Sequence, residues 1–175
     1  MEITEFETER LLIRKLEDHD RDDIFEIVSD EQTSLDNSGC HAISEKSGEF
    51  DRLMKAFCAQ DRFGVILKET GKVIGMISLL EEERAVPCYE LGFAMNKDHR
   101  RKGYMYEAVS GLIEKFFSDT DIQMFTACHF PDNKASEELI KKLGFRYEGI
   151  SHKAMEHAVL GAVDLVCYYI DKAER

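Results

Sequence analysis

"YELGFAMNKDHRRKGYMYEAV" (89–109) joins a short apolar run to a helical pattern through three consecutive basic residues and a glycine. Its first part lies within "CYELGFAMN" (88–96), which reads as a strand entered after Pro87. From Gly103 to about Thr120, Met105, Val109, Leu112, Ile113 and Phe116 recur at i, i+4, i+7, i+8 and i+11, the apolar stripe of an amphipathic helix. A strand running straight into a helix leaves the first backbone N–H groups unpartnered, beside the positive end of the helix dipole. Glycine lets backbone approach a ligand closely, and arginines add charge-assisted contacts, so "RRKGYM" (100–105) contains the parts of a phosphate cradle. An exposed helix entrance is the other reading of the same residues. No G-x-G-x-x-G follows a strand and no G-x-x-x-x-G-K-[ST] occurs, so a dinucleotide loop and a P-loop both fall away.

Outward from this stretch, elements alternate. "RLLIRKL" (10–16) reads as a first strand, and "DHDRDDIFEIV" (18–28) as a helix entered through acidic residues. Residues 33–47 are polar and show no period. "EFDRLMKAFCAQ" (49–60) spaces Phe50, Leu53, Met54 and Phe57 as a helix does. Two β-branched runs flank Thr70-Gly71-Lys72, a hairpin signal. "IQMFTACHF" (122–130) is a largely buried strand, and "NKASEELIKKLG" (133–144) a helix stopped by Gly144. "FRYEGISHKAM" (145–155) and "DLVCYYI" (164–170) are strand-like. The order predicts a mixed α/β layer with a βαβ crossover at its centre.

The length, 175 residues, suits one domain over 1–175 with a sizeable core. A net charge of -12, from 35 acidic and 23 basic residues, argues against nucleic acid and anionic membranes as partners and leaves cationic substrates open. The five cysteines are scattered without a C-x-x-C pair, as reduced cytosolic thiols are. "MEITEFETER" lacks the apolar core of a signal segment, and no run has the roughly 18 apolar residues of a membrane span, so a cytoplasmic protein is expected. Histidines and cysteines show no metal-ligand spacing, no metal is expected, and no Cys-His-Asn/Asp arrangement is visible.

Four segments in order carry a family resemblance: "TERLLIRKL" (8–16), "YELGFAMNKDHRRKGYMYEAV", "NKASEELIKKLGFRYEG" (133–149) and "VDLVCYYI" (163–170). Together they resemble the GNAT superfamily of acyl-CoA-dependent N-acetyltransferases, in its RimJ/RimL-like branch. The resemblance implies a mixed, mostly antiparallel central sheet flanked by helices and splayed between strands 88–96 and 122–130. Acetyl-CoA would be the cosubstrate. Its pantetheine would pair with the backbone of Phe93, Ala94 and Met95. Its pyrophosphate would sit on the amides of Arg101, Lys102, Gly103, Tyr104 and Met105, with Arg100 at the first position of the [RQ]-x-x-G-x-[GA] motif. Asn133 and Ser136 match positions beside the pantetheine arm and sulfur.

Two positions depart from the family pattern. Met105 stands where Gly or Ala is usual: a side chain turned to the core, as its i+4 spacing to Val109 suggests, leaves the amide free, whereas one facing the ligand weakens the site. Ile140 stands seven residues after Asn133, where many members carry a tyrosine that protonates the leaving thiolate. Ser136 is the substitute acid, or simply a hydrogen-bonding residue at a helix start. Amines are mostly protonated at neutral pH, so transfer needs a base. Glu90 on the cleft strand is the candidate, directly or through water; a solvated carboxylate is its plainer reading.

The function expected is acetyl transfer to a primary amine, either a protein N-terminus or a small amine. A non-catalytic acyl-CoA-binding sensor or interaction module is the alternative, kept open by Met105 and Ile140. An exposed edge strand near the C-terminus would permit a homodimer in place of a monomer.

Overall fold

Alternating side chains build the strands, and helical apolar stripes cover them. In the computed structural model, which describes residues 3–60 and 62–174, the strands are β1 (Glu5–Glu7), β2 (Leu11–Lys15), β3 (Arg62–Leu67), β4 (Lys72–Glu81), β5 (Cys88–Met95), β6 (Met124–His129), β7 (Arg146–His157) and β8 (Gly161–Asp171). The α-helices are α1 (Arg21–Val28), α2 (Glu31–Ser38), α3 (Gly48–Ala59), α4 (Tyr104–Asp119) and α5 (Lys134–Lys142). The strands form one sheet in the order β1-β2-β3-β4-β5-β6-β8-β7. Neighbours are antiparallel except β5 and β6, which α4 connects as a crossover.

That parallel pair is short. Cys88 faces Met124, Tyr89 faces Phe125 and Glu90 faces Thr126, and pairing ends there. Beyond this point β5 stays on β4 as far as Met95, while β6 stays on β8 as far as His129. The sheet therefore opens into a V, the splay that the family resemblance implies, with Glu90 and Thr126 at its apex.

Apolar side chains fill both faces. α4 buries Met105, Ala108, Val109, Leu112, Ile113 and Phe116 in a core shared with Leu11, Ile13, Phe63, Leu91 and Phe125. The Phe116 ring meets Phe63 and Phe125 edge-on, at centroid distances of 6.0 and 6.1 Å. On the opposite face, Ile24, Ile27, Phe50, Met54 and Phe57 of α1 and α3 cover Leu16, Ile66, Val73, Met76 and Ala94. Burying each such large side chain contributes about 2 kcal/mol. Arg14 on β2 clamps Asp20 at the start of α1 with bonds of 2.7 and 2.8 Å, fixing where α1 leaves the sheet.

Two elements depart from the sequence reading. β1 adds a short edge strand before β2. α2 occupies part of the stretch that shows no period; polar bonds rather than an apolar face hold it. The Asp30 carboxylate accepts from the Thr33 amide at its start, and Gly39, at φ 70°, ends it in the left-handed conformation that glycine adopts without strain.

Candidate active site

The walls of the V are strand edges, so the direction of their backbone groups decides what can dock. In an antiparallel strand, the N–H and C=O of one residue point the same way and alternate along the chain. The Cys88 carbonyl accepts from Glu82 and the Asn96 amide donates to Ile74, so even-numbered residues of β5 bond to β4. Phe93 and Met95 consequently present their backbone to the open side. Ala94 does not: its peptide groups face Met76 in the ladder, which corrects the expectation that all three would pair with pantetheine. The Met95 carbonyl is in addition taken by Arg100 Nε at 3.3 Å.

The turn after β5 is shaped for an anion. Arg101 and Gly103 are left-handed, at φ 60° and 80°, and α4 starts immediately after them. First-turn amides of an α-helix have no intrahelical acceptor, so those of Tyr104 and Met105 point outward at the dipole's positive end. Arg101 is exposed, and its guanidinium makes no bond among the described residues. Met105 is buried in the core beneath α4, with Cε close to Gly75 on β4. A Cβ at Gly75 would lie 3.1 Å from that Cε and 2.9 Å from the Ala94 carbonyl, so the missing side chain makes room for Met105. Lys102 turns back, its Nζ donating to the Asp98 carbonyl at 2.9 Å.

Arg100 is not free to meet a phosphate as expected. Its Nη2 donates to Thr33 Oγ1 at 2.6 Å, and with the Met95 bond it ties the end of β5 to α2. Asn133 ties the other lip: its Oδ1 accepts from the Ser136 amide and its Nδ2 donates to the Asp36 carbonyl at 3.0 Å. α2 thus bridges both lips of the V. The Ser136 hydroxyl makes no bond among the described residues and stands at the first turn of α5.

The side chains of β5 also alternate. Leu91, Phe93 and Met95 pack towards α4, while Ala94, and with it Glu90, faces the side of α1 and α3. Glu90 is half-buried and has no hydrogen-bonding or ionic partner among the described residues. Burial pushes its carboxyl up, and the charge of Glu82 pushes it further. Burial works against the Glu82 charge too, yet bonds from Thr126 Oγ1 at 2.7 Å and Arg84 Nη2 at 3.0 Å outweigh it and hold Glu82 below the usual carboxylate range. Arg84 in turn grips Glu148 on β7 at 2.7 Å. The arrangement sets an anchored anion beside an unpartnered carboxylate, which makes Glu90 the better proton acceptor of the two.

Several of these residues escaped the sequence reading. Glu82 stands in the charged run "EEER" (81–84), which carries no motif. Thr8, Arg10 and Glu107 form a lock that pins the β1–β2 hairpin to the start of α4: Glu107 accepts from Thr8 Oγ1 and Arg10 Nε, both at 2.6 Å. Arg10 also bonds the Lys102 carbonyl and lies 4.5 Å over the Tyr104 ring. The opening "TER" placed Thr8 and Arg10 in a family pattern, but nothing local announced their partner. Among the described residues no group of three or more His, Cys, Asp or Glu is arranged to hold a metal ion. None of the helices there is long and apolar enough to cross a membrane.

A parallel strand pair that splits beside a basic, glycine-led helix entrance is the architecture of an acyltransferase of the GNAT type. The chain belongs to that family: the model of the acetyltransferase (GNAT) domain matches residues 10–146. Among similar proteins, the N-acetyltransferase YnaD of Bacillus subtilis is 30% identical over 148 residues, covering 85% of this chain and 86% of that one. The ribosomal protein uS5-alanine N-acetyltransferase of Escherichia coli is 26% identical over 156 residues, covering 81% and 78%. A GNAT-family acetyltransferase from Bacillus anthracis superposes with a TM-score of 0.86 at 25% identity, covering 97% and 99%. The spermidine N-acetyltransferase of Vibrio cholerae, solved with CoA and spermine, shares the fold at a TM-score of 0.77 and 19% identity, covering 95% and 98%. The chain is an acetyltransferase of this family, with relatives in the RimJ-like branch.

Proposed function

We propose that the chain, acting as one domain over residues 1–175, transfers the acetyl group of acetyl-CoA to a primary amine by direct attack in a ternary complex. The observation that carries this reading is Glu90, an unpartnered half-buried carboxylate at the apex of the V, on the face opposite the α4 core. Pantetheine would run along the open backbone of Phe93 and the amide of Met95. Pyrophosphate would rest on the amides of Tyr104 and Met105, with the Arg101 cation beside them.

Glu90 takes the proton of the incoming ammonium, directly or through one water. The freed amine attacks the thioester carbonyl, whose oxygen is polarised by an outward N–H of Phe93 or Met95. As the C–S bond breaks, the departing sulfur takes a proton from the Ser136 hydroxyl, which in turn takes the second proton of the attacking nitrogen. The acceptor is a protein N-terminus, as for the uS5-alanine enzyme, or a small amine, as for the spermidine enzyme. A cytoplasmic location fits a catalyst that draws on acetyl-CoA.

A second reading, a silent acyl-CoA-binding module, is favoured by one observation: Ile140 is buried in the core where many family members place a thiolate acid. Calorimetric titration with acetyl-CoA, followed by free-thiol release with alanyl peptides and spermidine, separates the readings. Binding with thiol release supports transfer, and binding without release for any amine supports the module. Absence of binding at millimolar acetyl-CoA sinks both.

A further inference from the structure

Scattered cysteines read as independent thiols, yet the fold sets two of them face to face. Cys128 on β6 and Cys167 on β8 are direct register partners. Their sulfurs are 2.8 Å apart, with the Cys128 S–H aimed at Cys167 Sγ. Both are free thiols and only half-buried, so a small oxidant can reach them. Directly opposed residues in an antiparallel pair have Cα atoms about 4.5–5.5 Å apart, inside the roughly 4.4–6.8 Å that a disulfide spans. The pair also sits where a change would be felt. Thr126 faces Glu90, and Cys128, two residues on, shares that face in the part of β6 that has already left β5.

We propose that Cys128 and Cys167 are a reversible redox site, a dithiol that closes into a disulfide beside the acceptor side of the cleft and slows acetyl transfer. The oxidant is a hydroperoxide. The Cys167 sulfur attacks one peroxide oxygen, the O–O bond breaks, and a sulfenic acid forms as the departing hydroxide takes the Cys167 proton and leaves as water. The Cys128 sulfur then attacks the sulfenic sulfur. The S–S bond forms, the S–O bond breaks, and the Cys128 proton leaves with the hydroxide as water. Two electrons pass from the thiols to the peroxide, and two waters result from hydrogen peroxide. A dithiol reductant reverses the bond by exchange.

The order of attack follows from the surroundings. Burial, the bond to Cys167 and the charges of Glu90 and Glu82 keep the Cys128 thiol protonated well above the ordinary thiol range. It therefore acts second. Closure draws the sulfurs to about 2.05 Å and cross-links β6 to β8 in the part of β6 that has left β5. The effect on transfer rests on the acetyltransferase reading; formation of the bond does not.

The test oxidises the protein with excess hydrogen peroxide after Cys40 and Cys58, both exposed, have been changed to Ser to prevent bridges between molecules. Non-reducing digestion should yield a linked peptide pair holding Cys128 and Cys167. Transfer should fall at least about threefold and return with dithiothreitol. C167S and C128S should each give no linked pair and keep their own rates through the same treatment. Two alkylatable thiols persisting at 128 and 167 in excess oxidant would overturn the site. A fully linked protein with unchanged transfer would overturn its control of the reaction. If no state transfers acetyl groups, the linked peptide still decides the site, so failure of the proposed function is read separately.

Discussion

At the scale of single residues, the proposed chemistry turns on Met105 and Glu90. Met105 occupies a position where a small residue usually lets phosphate approach, and its burial against Gly75 leaves the amide outside. Met105→Ala should therefore cost about 2–4 kcal/mol of stability through the cavity it leaves, while acetyl-CoA affinity stays within about threefold. Denaturant melts and calorimetry check the two halves separately. Glu90→Gln should lower kcat by about 10²–10⁴-fold with coenzyme binding retained. A base works when ionised, and both burial and Glu82 raise the pH at which Glu90 ionises. The acid limb of kcat/KM should accordingly lie above the usual glutamate range. Glu82→Gln removes a neighbouring negative charge, so the limb should move to lower pH; a limb that stays put would detach Glu82 from the reaction. Glu90 was legible in the sequence as a carboxylate on the cleft strand. Its neighbour Glu82 was not, because only the β4–β5 register brings the two to one face.

At the scale of elements, α2 is the part that the sequence concealed. Its segment "EQTSLDNS" (31–38) buries only Thr33, so no apolar stripe advertises a helix. Tertiary hydrogen bonds stabilise it instead: Arg100 to Thr33, Asn133 to the Asp36 carbonyl, and Lys97 to Asp30 at 3.2 Å. Such bonds come from residues 60 to 100 positions away along the chain, beyond the reach of any local pattern. Arg100→Met removes two of the ties across the open end of β5, a loss of about 1.5–3 kcal/mol for bonds to a charged group. Hydrogen exchange in α2 should quicken, and acceptor KM should rise more than kcat falls. Arg100 illustrates a motif position correctly found but differently employed, since its geometry with Thr33 exists only after α2 has packed.

At the scale of the molecule, the split sheet is a binding device. β5 and β6 part after Glu90 and Thr126, and a ligand lying between them would complete pairings that the fold leaves open. Binding to the folded state alone should then stabilise the whole protein: acetyl-CoA at a hundred times its Kd adds about 2.7 kcal/mol. For a chain of this size that corresponds to a rise of roughly 5–10 °C in Tm. Thermal melts with and without acetyl-CoA, repeated after dialysis, check the shift and its reversal.

The sequence by itself determined the central crossover, the main strands and helices around it, and the glycine-led turn into the central helix. Apolar periodicity, turn residues and a glycine before a helix are local properties, carried by a few neighbouring residues at a time. Only the tertiary structure decided where the sheet divides, that Ala94 turns to β4 while Phe93 and Met95 face the cleft, and that α2 bridges its lips. It alone also set Glu82 beside Glu90 and Cys128 against Cys167. These depend on strand register, and register is settled by pairing and packing between segments far apart in the chain.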